Sequence, residues 1–189
     1  MYAFTAIFDA CVFYPAPLRD LLMYLTGSDL FQARWTDEIH DEWIRSLLED
    51  HPDLSRENVE RTRRQMDAYV DDCLVTGYEP LIETLQLPDP KDRHVLAAAI
   101  TAGASVIVTF NLKDFPQTAL EPRKIRAITP DEFVLRLLKV NHHEILDLIK
   151  RQRQNMTRPP LTVEEYLVML ERQRLPKTVA FLREHQEKI

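Results

Sequence analysis

Hydrophobic positions along the chain follow two rhythms in turn. Residues 3–8 (AFTAIF) form an apolar run with β-branched and aromatic members that stops at Asp9, the composition of a short buried strand. After Pro15 and Pro17, Leu18, Leu21, Leu22 and Leu25 recur at helical spacing. Proline suits the opening of such a helix, where an N–H has no intrahelical partner. Gly27 and Ser28 close that helix, and residues 30–35 predict a second strand. Thr36 is placed to cap the next helix, which carries Ile39, Trp43, Leu47 and Leu48 on one face. A long polar helix is expected over residues 56–75, closed by Gly77, and residues 81–85 read as a third strand. Asp89-Pro90 has the form of a cap followed by proline, opening a helix that runs to about Ala102 and stops at Gly103. Residues 105–110 (SVIVTF) predict a strand buried on both faces, residues 125–129 a last short strand, and Pro130 a further helix.

Strands alternating with helices across short loops predict a parallel sheet covered on both faces, an α/β architecture. In such sheets ligands bind beyond the carboxyl ends of the strands. Asp9 and the NLKD of residues 111–114 both fall at such ends. After about residue 140 the pattern changes to helices alone: HHEILDLIKRQRQ, a break at Pro159-Pro160, then LTVEEYLVMLERQ and PKTVAFLREH. An α/β domain over residues 1–138 and a helical extension over 139–189 are therefore expected.

Bulk properties narrow the classes. Of 189 residues, 45% are apolar and 29% charged, as in ordinary globular proteins. Cys11 and Cys73 lie far apart without metal-ligand spacing, which fits a reducing compartment rather than a disulfide scaffold. The start MYAFTAIFDACVFYP lacks the basic opening and long apolar run of a signal peptide. No stretch has the length of a membrane span, so a cytoplasmic location is expected. The net charge of −6 disfavours a passive nucleic-acid binder. It does not disfavour a nuclease, because carboxylates that carry a divalent cation attract phosphate. Three glycines and no G-x-x-x-x-G-K-[ST] leave nothing for a nucleotide cradle. Cys11 stands where a dehalogenase-type phosphatase would need a second aspartate, no receiver-type phospho-accepting aspartate is found, and the histidines lack zinc spacing.

Four places supply oxygen ligands: Asp9; Glu38 and Glu42 in WTDEIHDEWIRSLL; Asp89 and Asp92 in DPKDRHVLAAAI; and Asn111 and Asp114 in VTFNLKDFP. Mg²⁺ and Mn²⁺ take such ligands, and Mg²⁺ keeps several waters. Each residue also has a local role open to it. Asp9 suits a turn after a strand, Glu38 and Glu42 a solvated helix face, Asp89 a cap, Asp92 the first turn of a helix, and Asn111 and Asp114 a turn. Asp92 stands apart, because it continues the apolar stripe of Leu96, Ala99 and Ile100. Carboxylates that share a crevice repel one another, so without metal their pKa values should rise. For nucleic-acid phosphates the candidate contacts are Arg61, Arg63 and Arg64 on the long polar helix, and Lys150, Arg151 and Arg153 in the tail, with a solvated charged face as the other role open to them.

The strings IFDACVFYP, WTDEIHDEWIRSLL and DPKDRHVLAAAITAGASVIVTFNLKDFP resemble a PIN domain of the VapC toxin type over roughly residues 3–138. That resemblance implies a three-layer α/β/α fold, an acidic site for Mg²⁺ or Mn²⁺, and endoribonuclease activity leaving a 5′-phosphate. It also implies silencing by a small antitoxin protein, and often a homodimer. Position by position, Asp9 matches the first acid, Glu42 the second with Glu38 as fallback, and Asp92 the third. Asn111 falls where many members carry a fourth aspartate, and Asp114 matches a further acid, so the expected metal set is Asp9, Asp92, Asn111 and Asp114. An asparagine gives a neutral oxygen without charge. A second possibility is a catalytically degenerate module that works by binding a protein partner.

Overall fold

A computed structural model describes residues 3–189. Four short strands form one parallel sheet: β1 (Thr5–Phe8), β2 (Gln32–Arg34), β3 (Val106–Val108) and β4 (Arg126–Ile128), in the order β2-β1-β3-β4. The register pairs Ile7 with Arg34, Phe8 with Val108, and Val108 with Ile128. The ladder continues one step past the strand ends, through Asp9 N–H to the Val108 carbonyl and Thr109 N–H to the Ile128 carbonyl. Asp9 and Thr109 are thereby fixed side by side at the carboxyl edge.

The path from β1 to β2 runs through α1 (Ala10–Phe13) and α2 (Ala16–Leu25). The return from β2 across β1 to β3 uses α3 (Asp37–Asp50), α4 (Arg56–Tyr69), α5 (Glu79–Ile82) and α6 (Arg93–Thr101). These crossovers travel in opposite directions, so right-handed connection puts their helices on opposite faces of the sheet. The result is the expected three-layer α/β/α sandwich. It also opens a crevice between the carboxyl ends of β1 and β3, where the strand order reverses. Phe8, Phe31 and Phe133 fill the core in edge-to-face pairs, Phe31 to Phe133 at 4.9 Å and Phe8 to Phe133 at 5.4 Å.

Two segments differ from the sequence expectation. The polar helix stops at Tyr69, short of residue 75, because the chain turns through Asp72 at φ 54°. Leu74 then bridges Trp35 in parallel, with Val75 N–H on the Trp35 carbonyl at 2.8 Å. Residues 81–85 hold no strand. Pro80 sits in the first turn of α5, and the chain leaves through backbone turns ending at Leu85.

After the short α7 (Gln117–Leu120) and β4 come α8 (Pro130–Val140), α9 (His142–Asn155), α10 (Val163–Arg172) and α11 (Pro176–Arg183). These helices share the main core: Tyr166 is fully buried and donates to Gln152 at 2.6 Å, and Gln152 donates to Asp20 of α2 at 2.8 Å. The turn between α10 and α11 is held by buried Asp131 in the first turn of α8. Its carboxylate accepts from Thr178 N–H at 2.8 Å and Lys177 N–H at 3.0 Å, while Thr178 donates to the Asp131 carbonyl. Because α8 begins two residues after β4, this latch anchors the turn at the carboxyl edge of the sheet. Among the described residues no helix is long and apolar enough to cross a membrane.

Asp131→Ala should cost about 2–3 kcal/mol, since it strips two helix-opening N–H groups of their acceptor in a buried place. Thermal unfolding should shift down by roughly 5–10 °C for a chain of this size, with Asp131→Asn losing less. A midpoint within about a degree of the parent would show that the latch carries no stability.

Candidate active site

Asp9, Glu42, Asp92 and Asn111 line one crevice of about 380 Å³, together with Tyr14, Trp43 and Arg45. The elements that bring them there are the end of β1, the middle of α3, the turn opening α6 and the loop after β3. The structure thus brings these four side chains together at the carboxyl edge of the sheet.

Local geometry separates capping from other roles. Asp9 precedes α1 but makes no cap bond with its side chain. Its buried carboxylate instead accepts on Oδ2 from the Thr109 hydroxyl at 2.6 Å and the Cys11 thiol at 3.1 Å. Thr109 is itself held, accepting from Asn111 N–H at 2.9 Å. Both side-chain donors fall on Oδ2, so Oδ1 is left to the crevice. Burial first, then the charge of Asp9, keeps the Cys11 thiol protonated far above its usual range, so it serves as a donor. Asp92 occupies the cap position of α6, again without a cap bond. Asp89 is the true cap, accepting from Lys91 N–H at 2.9 Å.

Glu42 and Glu38 are both engaged by His94. Its Nε2 lies 3.3 Å from Glu42 and its Nδ1 3.6 Å from Glu38, and Glu38 also accepts from Tyr78 at 3.2 Å. The imidazole is buried and neither nitrogen makes an aligned hydrogen bond, so the contact is one of charge. Burial opposes that charge, but Glu42, Glu38 and Asp9 outweigh it and raise the His94 pKa above the ordinary imidazole value. Glu38 faces His94 and Tyr78, whereas Glu42 lines the crevice. Asp114, one helical turn of 3₁₀ backbone past Asn111, lies beyond the lining but close enough to bear on Asp92.

A buried network sets the angle of α3. Trp43 Nε1–H donates to His40 Nδ1 at 2.9 Å, which leaves the His40 proton on Nε2, 2.9 Å from Asp67. Trp35 donates to the same Asp67 oxygen at 2.8 Å. Arg19 lies over Trp43 at 4.7 Å. Trp43 is therefore a rigid wall of the crevice, one residue from Glu42.

Burial first, then Asp9, Asp114, Asp89 and Glu42, push the Asp92 carboxyl up to about 7. At Asp92, then, the repulsion expected of crowded acids adds to the larger effect of withdrawal from water. Among the described residues, no three of His, Cys, Asp and Glu close on a single ion position as the side chains stand. The donor set still suits Mg²⁺, which binds through one or two carboxylates and keeps most of its waters.

The basic candidates divide. Arg63 is engaged by Asp37 at 2.5 Å and Asp41 at 2.9 Å. Arg153 donates to the carbonyls of Leu161 and Ile189. Arg61 has only a loose contact with Glu57 at 3.9 Å. Arg64 and Arg151 are exposed and Lys150 half-buried. Thr109, His94 and Cys11 were not singled out from the sequence. Thr109 carried a signal, as a polar residue inside SVIVTF, and so did His94, a polar residue inside the alanine-rich start of α6.

Two family models match the chain. A family model described as PIN domain matches residues 5–113. One described as VapC50 C-terminal domain matches residues 130–184. A Mycobacterium tuberculosis protein named "Putative ribonuclease VapC50" is 54% identical over 59 residues, which is 31% of this chain and 34% of that protein. The match thus spans about a third of the curated relative's length. No solved structure matches the chain.

The raised Asp92 pKa has a signed consequence for stability. Native Asp92 keeps its proton up to about 7, whereas the unfolded side chain loses it near 3.8. Stability is therefore lost as pH climbs through that window, and the full penalty stands above it. In EDTA, Asp92→Asn should raise the melting temperature at pH 8 by a few degrees. That corresponds to about 1 kcal/mol once half-exposure is allowed for. The gain should vanish near pH 4; a gain that stays constant across the range would contradict the charge origin.

Proposed function

The chain belongs to the PIN domain family, and on that footing we propose that it is a metal-dependent endoribonuclease, the toxin of a toxin–antitoxin pair. The observation that carries this is the convergence of Asp9, Glu42, Asp92 and Asn111 on the crevice where the strand order reverses, with Asp92 pushed up to about 7. Crowded acids that relieve no helix end and pair with no arginine have a use for a cation, and their cost without one is the mark of that use.

In this reading Asp9 and Asp92 hold Mg²⁺ or Mn²⁺, with Asn111 and Asp114 reaching it directly or through water. Bound there, the ion supplies a water of lowered pKa and neutralises charge that develops on the scissile phosphate. The rest of the work falls to the protein. Thr109 and Cys11 pin the Asp9 carboxylate, so one oxygen faces a fixed direction. Glu42, steadied by His94 and the Trp43 wall, takes the proton of the attacking water. Attack on phosphorus then breaks the bond to the 3′-oxygen, which leaves with a proton from solvent and yields a 5′-phosphate. Asn111 in place of a fourth carboxylate lowers the negative charge of the site and favours one tightly held ion over two.

The partner of this reading is a small antitoxin protein that covers the crevice, and the compartment is the cytoplasm. Both cysteines are free thiols, in keeping with reducing surroundings.

Purified protein with Mn²⁺ should cleave RNA, and chelation should stop it. Asp9→Asn and Asp92→Ala should each lower the rate by at least about 100-fold. The same changes should relieve growth arrest on expression. RNA cleavage that survives both substitutions would place the activity elsewhere.

A further inference from the structure

An acidic crevice in a chain of net charge −6 must still hold a polyanion along its length, and the ion at the centre grips only one phosphate. The basic candidates of α4 and α9 include two that are engaged, Arg63 by aspartates and Arg153 by carbonyls. Another cation is placed differently. Arg174, in the turn between α10 and α11, adopts a left-handed backbone at φ 64° and lays its guanidinium 4.5 Å from the centre of the Phe110 ring. Phe110 stands between Thr109, which holds Asp9, and Asn111, which lines the crevice, and its N–H points to Cys11 Sγ at 3.3 Å. Arg174 is exposed and has no ion-pair partner among the described residues, and the same is true of Lys177 three residues on.

Two independent contacts put this turn at the carboxyl edge. One is the stack on Phe110; the other is the Asp131 latch on Lys177 and Thr178 N–H. A guanidinium resting on an aromatic face is held flat with its edge N–H groups turned outward. This is the form in which arginine takes a phosphate while its plane remains open to an unpaired base.

We propose that the α10–α11 turn is part of the RNA-binding surface, with Arg174, backed by Phe110, gripping single-stranded RNA beside the crevice. The inference rests on the ribonuclease reading and gives the C-terminal helices a task within it. It makes Arg174 a substrate-contacting residue and Phe110 its positioning residue. The grip acts on a phosphate or stacked base next to the cut, not on the reacting group, so it governs KM rather than kcat.

The test uses the full chain with Mn²⁺ and a fluorophore-quencher single-stranded RNA of a sequence that the parent protein cleaves. Arg174→Ala should raise KM about tenfold and move kcat less than about twofold, with the log–log salt dependence of KM shallower by about 0.7. Arg174→Lys, which keeps charge but not the flat stack, should fall between. Phe110→Leu should resemble Arg174→Ala. Melting temperatures of the arginine variants should stay within about 2 °C of the parent, since the side chain is exposed. An unchanged KM in Arg174→Ala overturns the proposal, as does a fall in kcat at constant KM, which would mark a purely structural contact. A parent that cleaves no RNA would refute the ribonuclease reading itself, a different result from an Arg174 variant that equals an active parent.

Discussion

Asp92 sits where the negative charge of Asp9, Asp114, Asp89 and Glu42 meets, half withdrawn from water, and the carboxyl edge of the sheet is organised around that repulsion. Left alone, such acids would swing apart into solvent, because exposed carboxylates gain hydration by doing so. Here each is restrained by something with little freedom of its own. Asp9 is restrained by a strand end and two side-chain donors, Glu42 by a helix keyed through Trp43, His40 and Asp67, and Asp92 by the turn that opens a buried alanine-rich helix. The stability lost at the edge is offset by the core beneath it, where Phe8, Phe31 and Phe133 interlock. Acids restrained in this way keep their repulsion in the folded chain, and the cation proposed for the crevice would relieve it.

The parallel sheet explains why so few residues suffice. With strand order β2-β1-β3-β4, β1 and β3 lie side by side while their onward connections depart in opposite directions, so no helix or loop covers the gap between their carboxyl ends. Residues one to three positions beyond those strands fall into that gap without any special loop. Asp9, Thr109 and Asn111 occupy it for that reason, and the ladder bonds of Asp9 and Thr109 carry the register of the sheet into the site.

Much of this was legible in the chain itself. Apolar runs ending at Asp9 and before Asn111, the Thr36 cap and the Asp89-Pro90 start all describe local preferences that the fold obeys, and Thr36 does accept from Ile39 N–H at 3.1 Å. The failures share a cause, which is pairing with distant partners. The polar helix ends early because Leu74 meets Trp35 across the chain. Residues 81–85 had strand-like composition, but Pro80 favours a helical turn, and that run pairs with no strand of the sheet. The support of the site was hidden for the same reason. Thr109 and Asp9 are 100 positions apart, and His94 gains its meaning only when α3 and α6 face each other. Spacing reveals residues that share an element, not those that meet across the fold.

On the proposed ribonuclease reading, the helices after β4 bear on how an acidic protein holds an acidic polymer. A site that needs carboxylates for its ion cannot also carry dense positive charge in its walls, since cations among the acids would compete with the metal. Separation in space resolves the conflict. The core domain contributes the acids, and the C-terminal helices return to the same edge through the Asp131 latch carrying Arg174 and Lys177, which have no acidic partner among the described residues. Beside the packing of α9 on α2, Phe110 is a further point of contact between the two parts at this edge, with its backbone beside Cys11 and its ring under Arg174. Shifting the turn would thus move the loop bearing Thr109 and Asn111. The extension would then act on the geometry around Asp9 through that ring.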